Sequence, residues 1–143
     1  MMDLPFSYKL DHIGIAVSSL TEGGKLYKAL GFKEIHIEDV VGEGVRVGTY
    51  ELANESKIEL LEPLGEKSPV AKFLEKRGPG VHHIALRVEN LTEILKKLKA
   101  TGIRTVYDGP RPGAHNCLIG FIHPSAAGGV LIELSERQTE GAI

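Results

Sequence analysis

Four side chains in this sequence could do chemistry together: His12, Glu59, His83 and Glu133. Two neutral imidazoles and two carboxylates make an N2O2 ligand set of intermediate hardness. Such a set suits Zn, Co, Ni, Mn or Fe(II), with coordination positions left open for a substrate. An ion held this way acts as a Lewis acid toward a pair of oxygens on one molecule. A lone histidine or glutamate on a strand is ordinarily a surface or core residue, so residue type alone would not single these four out.

Their spacing does. His12 and His83 are 71 residues apart, and that offset holds from His12/His83 to Phe32/Ile103, with ten identities in 21 aligned pairs. The segment Asp11-His12-Ile13-Gly14-Ile15-Ala16-Val17 is echoed by His82-His83-Ile84-Ala85-Leu86-Arg87-Val88. Ile58-Glu59-Leu60 and Ile132-Glu133-Leu134 repeat at an offset of 74, so the second copy carries three extra residues before its last strand. The chain is a tandem duplication with one His and one Glu per copy.

Strand parity puts the four on one face. Ile13, Ile15 and Val17 alternate with His12, Gly14 and Ala16; Ile84, Leu86 and Val88 alternate with His83, Ala85 and Arg87. Because successive strand residues point to opposite faces, each His lies opposite its apolar triplet, and each Glu lies opposite its flanking Ile and Leu. Gly14, Ala16 and Ala85 leave room on that face. Two modules paired about a pseudo-twofold axis would bring one His and one Glu each to a common point. His82 has the apolar parity and aligns with Asp11, which excludes it as a ligand. His36, His115 and His123 have no counterpart in the other copy.

The elements that must position these residues read as follows. Strands are expected at Tyr8–Ser18, Phe32–Ile37, Val45–Leu52 and Lys57–Glu62. A helix runs from a Ser19 N-cap, with Glu22 in its first turn, to Gly31; Gly23 and Gly24 weaken it. Ser68-Pro69 through Gly78 is a short linker helix with Ser at the cap, Pro at the first position and Gly after the end. The second copy has a strand at Val81–Val88, then a helix capped by Asn90 and Glu93 and ended by Gly102. That helix carries Leu91, Ile94, Leu95 and Leu98 as one stripe. Strands follow near Ile103–Tyr107, Cys117–His123 and Gly129–Ser135, and the polar tail after Glu136 is expected to fray. Each half is β-α-β-β-β. The expectation is a single α+β domain over 1–143, with modules at about 8–63 and 80–135, a linker helix at about 68–78, and a curved mixed sheet forming a cleft.

Composition narrows the partners. A chain of 143 residues is long enough to bury roughly 68% of its unfolded surface. A formal net charge of −2 provides no global attraction to nucleic acid or to an acidic membrane. No apolar run reaches the length of a membrane span, and Met1-Met2-Asp3-Leu4-Pro5-Phe6 is not a signal peptide. Cys117 is the only cysteine, so no intrachain disulfide forms, and a cytoplasmic location is expected.

The βαβββ repeat with its His-Glu-His-Glu order resembles the vicinal-oxygen-chelate superfamily of glyoxalases, extradiol dioxygenases, antibiotic-resistance proteins and epimerases. Within it, residues 8–135 are most similar to the methylmalonyl-CoA epimerases. The linker running into the second copy, from Ser68-Pro69-Val70-Ala71-Lys72-Phe73-Leu74 through Gly78-Pro79-Gly80-Val81-His82-His83-Ile84-Ala85, carries that likeness. Glu59-Leu60-Leu61-Glu62-Pro63, Gly113-Ala114-His115, His123-Pro124 and Gly128-Gly129-Val130-Leu131-Ile132-Glu133-Leu134 support it. The resemblance implies metal ligands at His12, Glu59, His83 and Glu133. The divalent ion would be cobalt first, with Mn, Ni, Zn or Mg as alternatives. It also implies an acyl-CoA substrate and a homodimer. The implied reaction interconverts (2R)- and (2S)-methylmalonyl-CoA by proton transfer at C2, with Glu133 as one acid/base.

The sequence departs from the family where several relatives carry a second acid/base, a glutamate shortly after Gly-Val; Val47 stands there, with Glu43 and Glu51 nearby. His115 is a candidate for the pocket wall, and Arg77, Arg111 and the lysines are candidates for CoA phosphate contacts. Glyoxalase I, a lactoylglutathione lyase, would keep the same ligand order. An extradiol dioxygenase normally needs only two His and one carboxylate, and a metal-free binding or resistance protein of this fold would not need an intact ligand set.

Overall fold

The computed structural model describes residues 8–139, the side chains of Glu34 and Ile35 aside. The amino-terminal segment before Tyr8 and the last part of the polar tail, residues 140–143, lie outside the described residues. The elements are β1 (Lys9–Ala16), α1 (Leu20–Gly23), α2 (Lys25–Ala29), β2 (Glu34–Val40), β3 (Val45–Glu51), β4 (Lys57–Pro63), α3 (Pro69–Arg77), β5 (Gly80–Arg87), α4 (Leu91–Ala100), β6 (Arg111–Pro112), β7 (Cys117–Ile122) and β8 (Ile132–Arg137). The α+β class and the repeated β-α-β-β-β order are those expected. Two compact units emerge: 12–83 is one, and 84–139 with the strand residues up to Asp11 is the other. Among the described residues no helix is long and apolar enough to cross a membrane.

In the first unit the strand order is β2-β3-β4-β1, with β1 parallel to β4 and the other pairs antiparallel. In the second it is β5-β8-β7-β6, with β5 parallel to β8. In each unit the apolar parity packs against helix. Val17, Tyr50 and Leu60 gather Ile15, Leu20, Tyr27, Phe32 and Ile58 around them. Val88, Leu91, Ile94, Leu95, Leu98 and Leu134 gather Leu86, Ile103 and Ile132. The α4 stripe is buried over its whole length, and each such side chain contributes roughly 1.5–3 kcal/mol. With the apolar residues turned to the helices, Glu59 and Glu133 must take the opposite face.

The duplication also repeats its helix ends. After α2, Gly31 takes φ +87; its N–H donates to Lys28 O, and Phe32 N–H donates to Tyr27 O. After α4, Gly102 takes φ +81; its N–H donates to Lys99 O, and Ile103 N–H donates to Leu98 O. These are two Schellman motifs with Gly at the left-handed position. At the other end, Leu20 N–H donates to Glu62 Oε1 and Leu91 N–H donates to Glu136 Oε1, at 2.9 and 3.0 Å. Glu62 and Glu136 follow Glu59 and Glu133 by three residues in their strands. The same strand that carries a candidate ligand therefore also ties down the start of the helix.

Several expectations need correction. Asn90 does not cap α4 with its side chain; it sits in the left-handed region (φ 56, ψ 50), and Glu136 serves instead. The helix expected from Ser19 to Gly31 is two short helices meeting at Gly24. A Cβ on Gly23 would lie 2.6 Å from Val17 Cγ1, and one on Gly24 would lie 2.5 Å from Tyr50 Oη. The glycines exchange helix propensity for close packing. Ile103–Tyr107 is not a strand: only Thr105 makes an isolated bridge, to Ile122, and the short partner of β7 is Arg111–Pro112. The last strand continues past Glu136 to Arg137.

Removing a cap that serves a helix N-terminus typically costs about 1 kcal/mol. Glu62→Ala and Glu136→Ala are each expected to lower unfolding stability by that amount in urea titrations, with an unchanged slope. An unaltered midpoint in both variants would contradict the capping role.

Candidate metal centre

Three of the four residues singled out by the sequence lie in the first unit, where His12 meets each of the other two through a different ring nitrogen. His12 is on β1, Glu59 on β4 and His83 on β5, each 4% exposed. The parallel β1–β4 register sets Gly14 beside Glu59, and Thr49 of β3 flanks Glu59 from the other side. The His12 and His83 rings meet edge to face, with centroids 5.0 Å apart, and their Nε2 atoms are 2.9 Å apart. Two ligand atoms each about 2.1 Å from one ion at a right angle are about 3.0 Å apart. The facing nitrogens therefore fit a shared divalent cation. On the far side of His12, Nδ1 is 3.2 Å from Glu59 Oε2.

Space for His83 comes from a missing side chain. A Cβ on Gly14 would lie 2.7 Å from His83 Nε2 and would overlap the ring carbon beside it. Ala16 and Ala85, the other small residues on this face, are fully buried. Burial, with His12 and His82 adding to it, holds His83 well below the ordinary imidazole value. It is neutral near pH 7, the form a metal ligand requires.

Glu133, the fourth residue, is in the second unit, on β8 between Ile132 and Leu134, and is 5% exposed. Its register neighbours are Ala85 on β5 and Phe121 on β7. Phe121 clusters with Cys117 and Ile119, so the face that carries Glu133 has an apolar wall. Val47, on β3 three residues after Gly44, is 2% exposed.

Residues left out of the ligand set have other work. His36 Nε2 lies 2.9 Å from Glu38 Oε1 near the surface. His123 Nδ1 accepts from Ser125 N–H and caps the following turn. His115 occupies a left-handed position (φ 57) in the turn before β7. Arg77 lies over Phe73 and Arg111 over Tyr107, at 5.5 and 4.0 Å. Sequence parity missed one neighbour: His82 Nδ1 is 3.0 Å from His83 Nδ1. The adjacency His82-His83 was the available signal, but opposed strand faces hide a contact made so close to the backbone.

Gly14→Ala is expected to push the His83 ring aside at a cost of about 1–3 kcal/mol. It should weaken cobalt binding in calorimetric titration while leaving the secondary structure intact; wild-type affinity would count against the cradle. A pH effect follows from His83. The unfolded chain takes up a proton near 6.5 and the folded chain does not. Stability of the metal-free protein therefore rises with pH through that range and is lost as pH falls below about 6.5. Thermal melts should show that fall, shallower in His83→Gln.

Comparison with known proteins gives the family. Residues 11–121 match the family described as the Glyoxalase/Bleomycin resistance protein/Dioxygenase superfamily. The ethylmalonyl-CoA/methylmalonyl-CoA epimerase of Cereibacter sphaeroides is 40% identical over 131 residues, covering 90% of this chain and 97% of that one. The crystal structure of methylmalonyl-CoA epimerase from Mycobacterium tuberculosis superposes with a TM-score of 0.86 at 42% identity, covering 91% of this chain and 88% of that one. A methylmalonyl-CoA epimerase solved in complex with methylmalonyl-CoA and NH4+ gives 0.85 at 36% identity, covering 92% and 95%. The chain belongs to the Glyoxalase/Bleomycin resistance protein/Dioxygenase superfamily and, within it, to the family of the methylmalonyl-CoA epimerases.

Proposed function

We propose that this chain is a metal-dependent epimerase that interconverts (2R)- and (2S)-methylmalonyl-CoA. The observation that carries the reading is the buried His12–His83 pair, its Nε2 atoms 2.9 Å apart, in a chain alike over nine-tenths of its length to enzymes of that name. His12, Glu59, His83 and Glu133 would hold the ion, cobalt first, with Mn, Ni, Zn or Mg as alternatives. Glu59 lies against His12, its Oε2 3.2 Å from Nδ1. An ion held there would supply Lewis-acid stabilisation of the negative charge that develops as the proton leaves.

The remaining chemistry is proton transfer. The C2 proton lies between a thioester and a carboxylate, so its removal leaves a delocalised enolate. Glu133 takes that proton on one face, and return of a proton to the other face inverts C2. Val47 has no proton to give, so the opposite face is served by water or by a side chain elsewhere. Gly14 makes room for the His83 ring, and Phe121, with Ile119 clustered on it, gives the Glu133 side an apolar wall. We further infer a cytoplasmic homodimer, consistent with one buried cysteine and no need for an oxidising compartment.

Proton NMR in D2O with cobalt-loaded protein tests this reading directly. Methylmalonyl-CoA should lose its C2 proton signal far faster than in buffer. Glu133→Gln should slow washout by about 10²- to 10⁴-fold, and His83→Ala or chelator treatment should abolish it. Full activity in His83→Ala would sink the proposal, and turnover of a glutathione hemithioacetal instead would favour a lactoylglutathione lyase.

A further inference from the structure

His82 was excluded as a ligand by parity, yet it lies against one. Along a strand, neighbouring side chains leave opposite faces. The ring nitrogen nearest the backbone, Nδ1, is therefore the only one through which adjacent histidines can readily meet. Here they do so: the Nδ1 atoms of His82 and His83 are 3.0 Å apart, with the rings nearly perpendicular at 88°. The other nitrogen of His83, Nε2, faces His12 Nε2. One nitrogen thus points to the candidate ion and the other to His82.

His82 is itself held. Its ring packs edge-on against Phe73 of α3, with centroids 5.1 Å apart at 69°, and Arg77 covers Phe73 from one helical turn further on. The linker helix reaches the ligand through a run of contacting side chains: Arg77, Phe73, His82, His83. Both ligand histidines then have a partner for the nitrogen turned away from each other, Glu59 for His12 and His82 for His83.

We infer that His82 is a positioning residue for His83, its Nδ1 accepting the hydrogen on His83 Nδ1 and so fixing the tautomer whose Nε2 carries the lone pair. This rests on the reading of His83 as a metal ligand. A neutral imidazole has one N–H and one lone pair. Once His83 Nδ1–H is committed to His82, Nε2 has no hydrogen and can only donate electrons. His82 in turn must carry its own hydrogen on Nε2. Partners of this kind orient metal-bound histidines, and their loss costs about 10- to 100-fold in metal affinity.

The test compares cobalt affinity and the visible cobalt spectrum in wild type, His82→Phe, His82→Asn and His83→Ala. The Phe variant keeps a ring against Phe73 but has no acceptor; the Asn variant restores an oxygen near the place of Nδ1. Affinity should fall about 10- to 100-fold in His82→Phe, with a shifted spectrum, and recover in His82→Asn. Nitrogen-15 NMR of the metal-free wild type should show His83 protonated on Nδ1 and His82 on Nε2. Wild-type affinity and spectrum in His82→Phe, with binding lost in His83→Ala, would overturn the role of His82 alone. Equal binding in wild type and His83→Ala would overturn the metal reading and this inference with it.

Discussion

The site depends on two imidazoles buried nose to nose. Leaving a buried polar nitrogen unsatisfied costs about 1–3 kcal/mol, and both rings are almost fully buried. The structure meets that cost with a line of contacts: Glu59 to His12, His12 to His83, His83 to His82. At the centre of the line, two Nε2 atoms can share only one hydrogen. The alternative is no hydrogen and two lone pairs on a cation, which the same separation allows. An ion that binds the folded chain and not the unfolded one stabilises the fold by mass action, so assembly of the centre and stability of the first unit are linked.

The frame that holds the rings is strand register. A slip of one residue would turn every side chain of a strand to its other face, exchanging His12 for Asp11 or Ile13. The parallel pairing of β1 with β4 and the antiparallel pairing of β4 with β3 fix Glu59 between Gly14 and Thr49. The helices secure the register from the back, because Glu62 and Glu136 anchor helix starts only three residues along from Glu59 and Glu133. Position 11 shows how the copies diverged within this frame. Asp11, aligned with His82, forms a two-donor ion pair with Arg87, whereas His82 turns to its own neighbour.

Much of this was legible in the sequence, because period-two patterning and duplication are properties of strands and copies rather than of tertiary detail. Parity sent Ile15, Ile58, Leu86 and Leu134 to the helices and the ligand candidates to the other face. Gly31 and Gly102 ended helices as read. What escaped were interactions decided by close approach. Gly23 and Gly24 read as weaknesses because their use, admitting Val17 and Tyr50, is visible only in three dimensions. Ile103–Tyr107 has strand composition, but Ile103 is drawn into the α4 cluster by the Schellman turn, and one bridge is all that remains. Asn90 has the residue type of a cap but a left-handed backbone, and the cap came from a glutamate 45 residues away.

The duplication also bears on why the two carboxylates would not do the same job. Glu59 and Glu133 are equivalent in the repeat, and an epimerase moving a proton at one carbon could in principle use either. Their surroundings differ. Glu59 commits an oxygen to His12 Nδ1 and has Thr49 and Gly14 as register neighbours. Glu133 has Ala85 and Phe121 as its register neighbours. A carboxylate beside an imidazole nitrogen is placed to orient that ring; one between alanine and phenylalanine in register has no ring of that kind among its strand neighbours. In the proposed mechanism the second copy supplies the proton transfer through Glu133, while Glu59 of the first copy lies against His12.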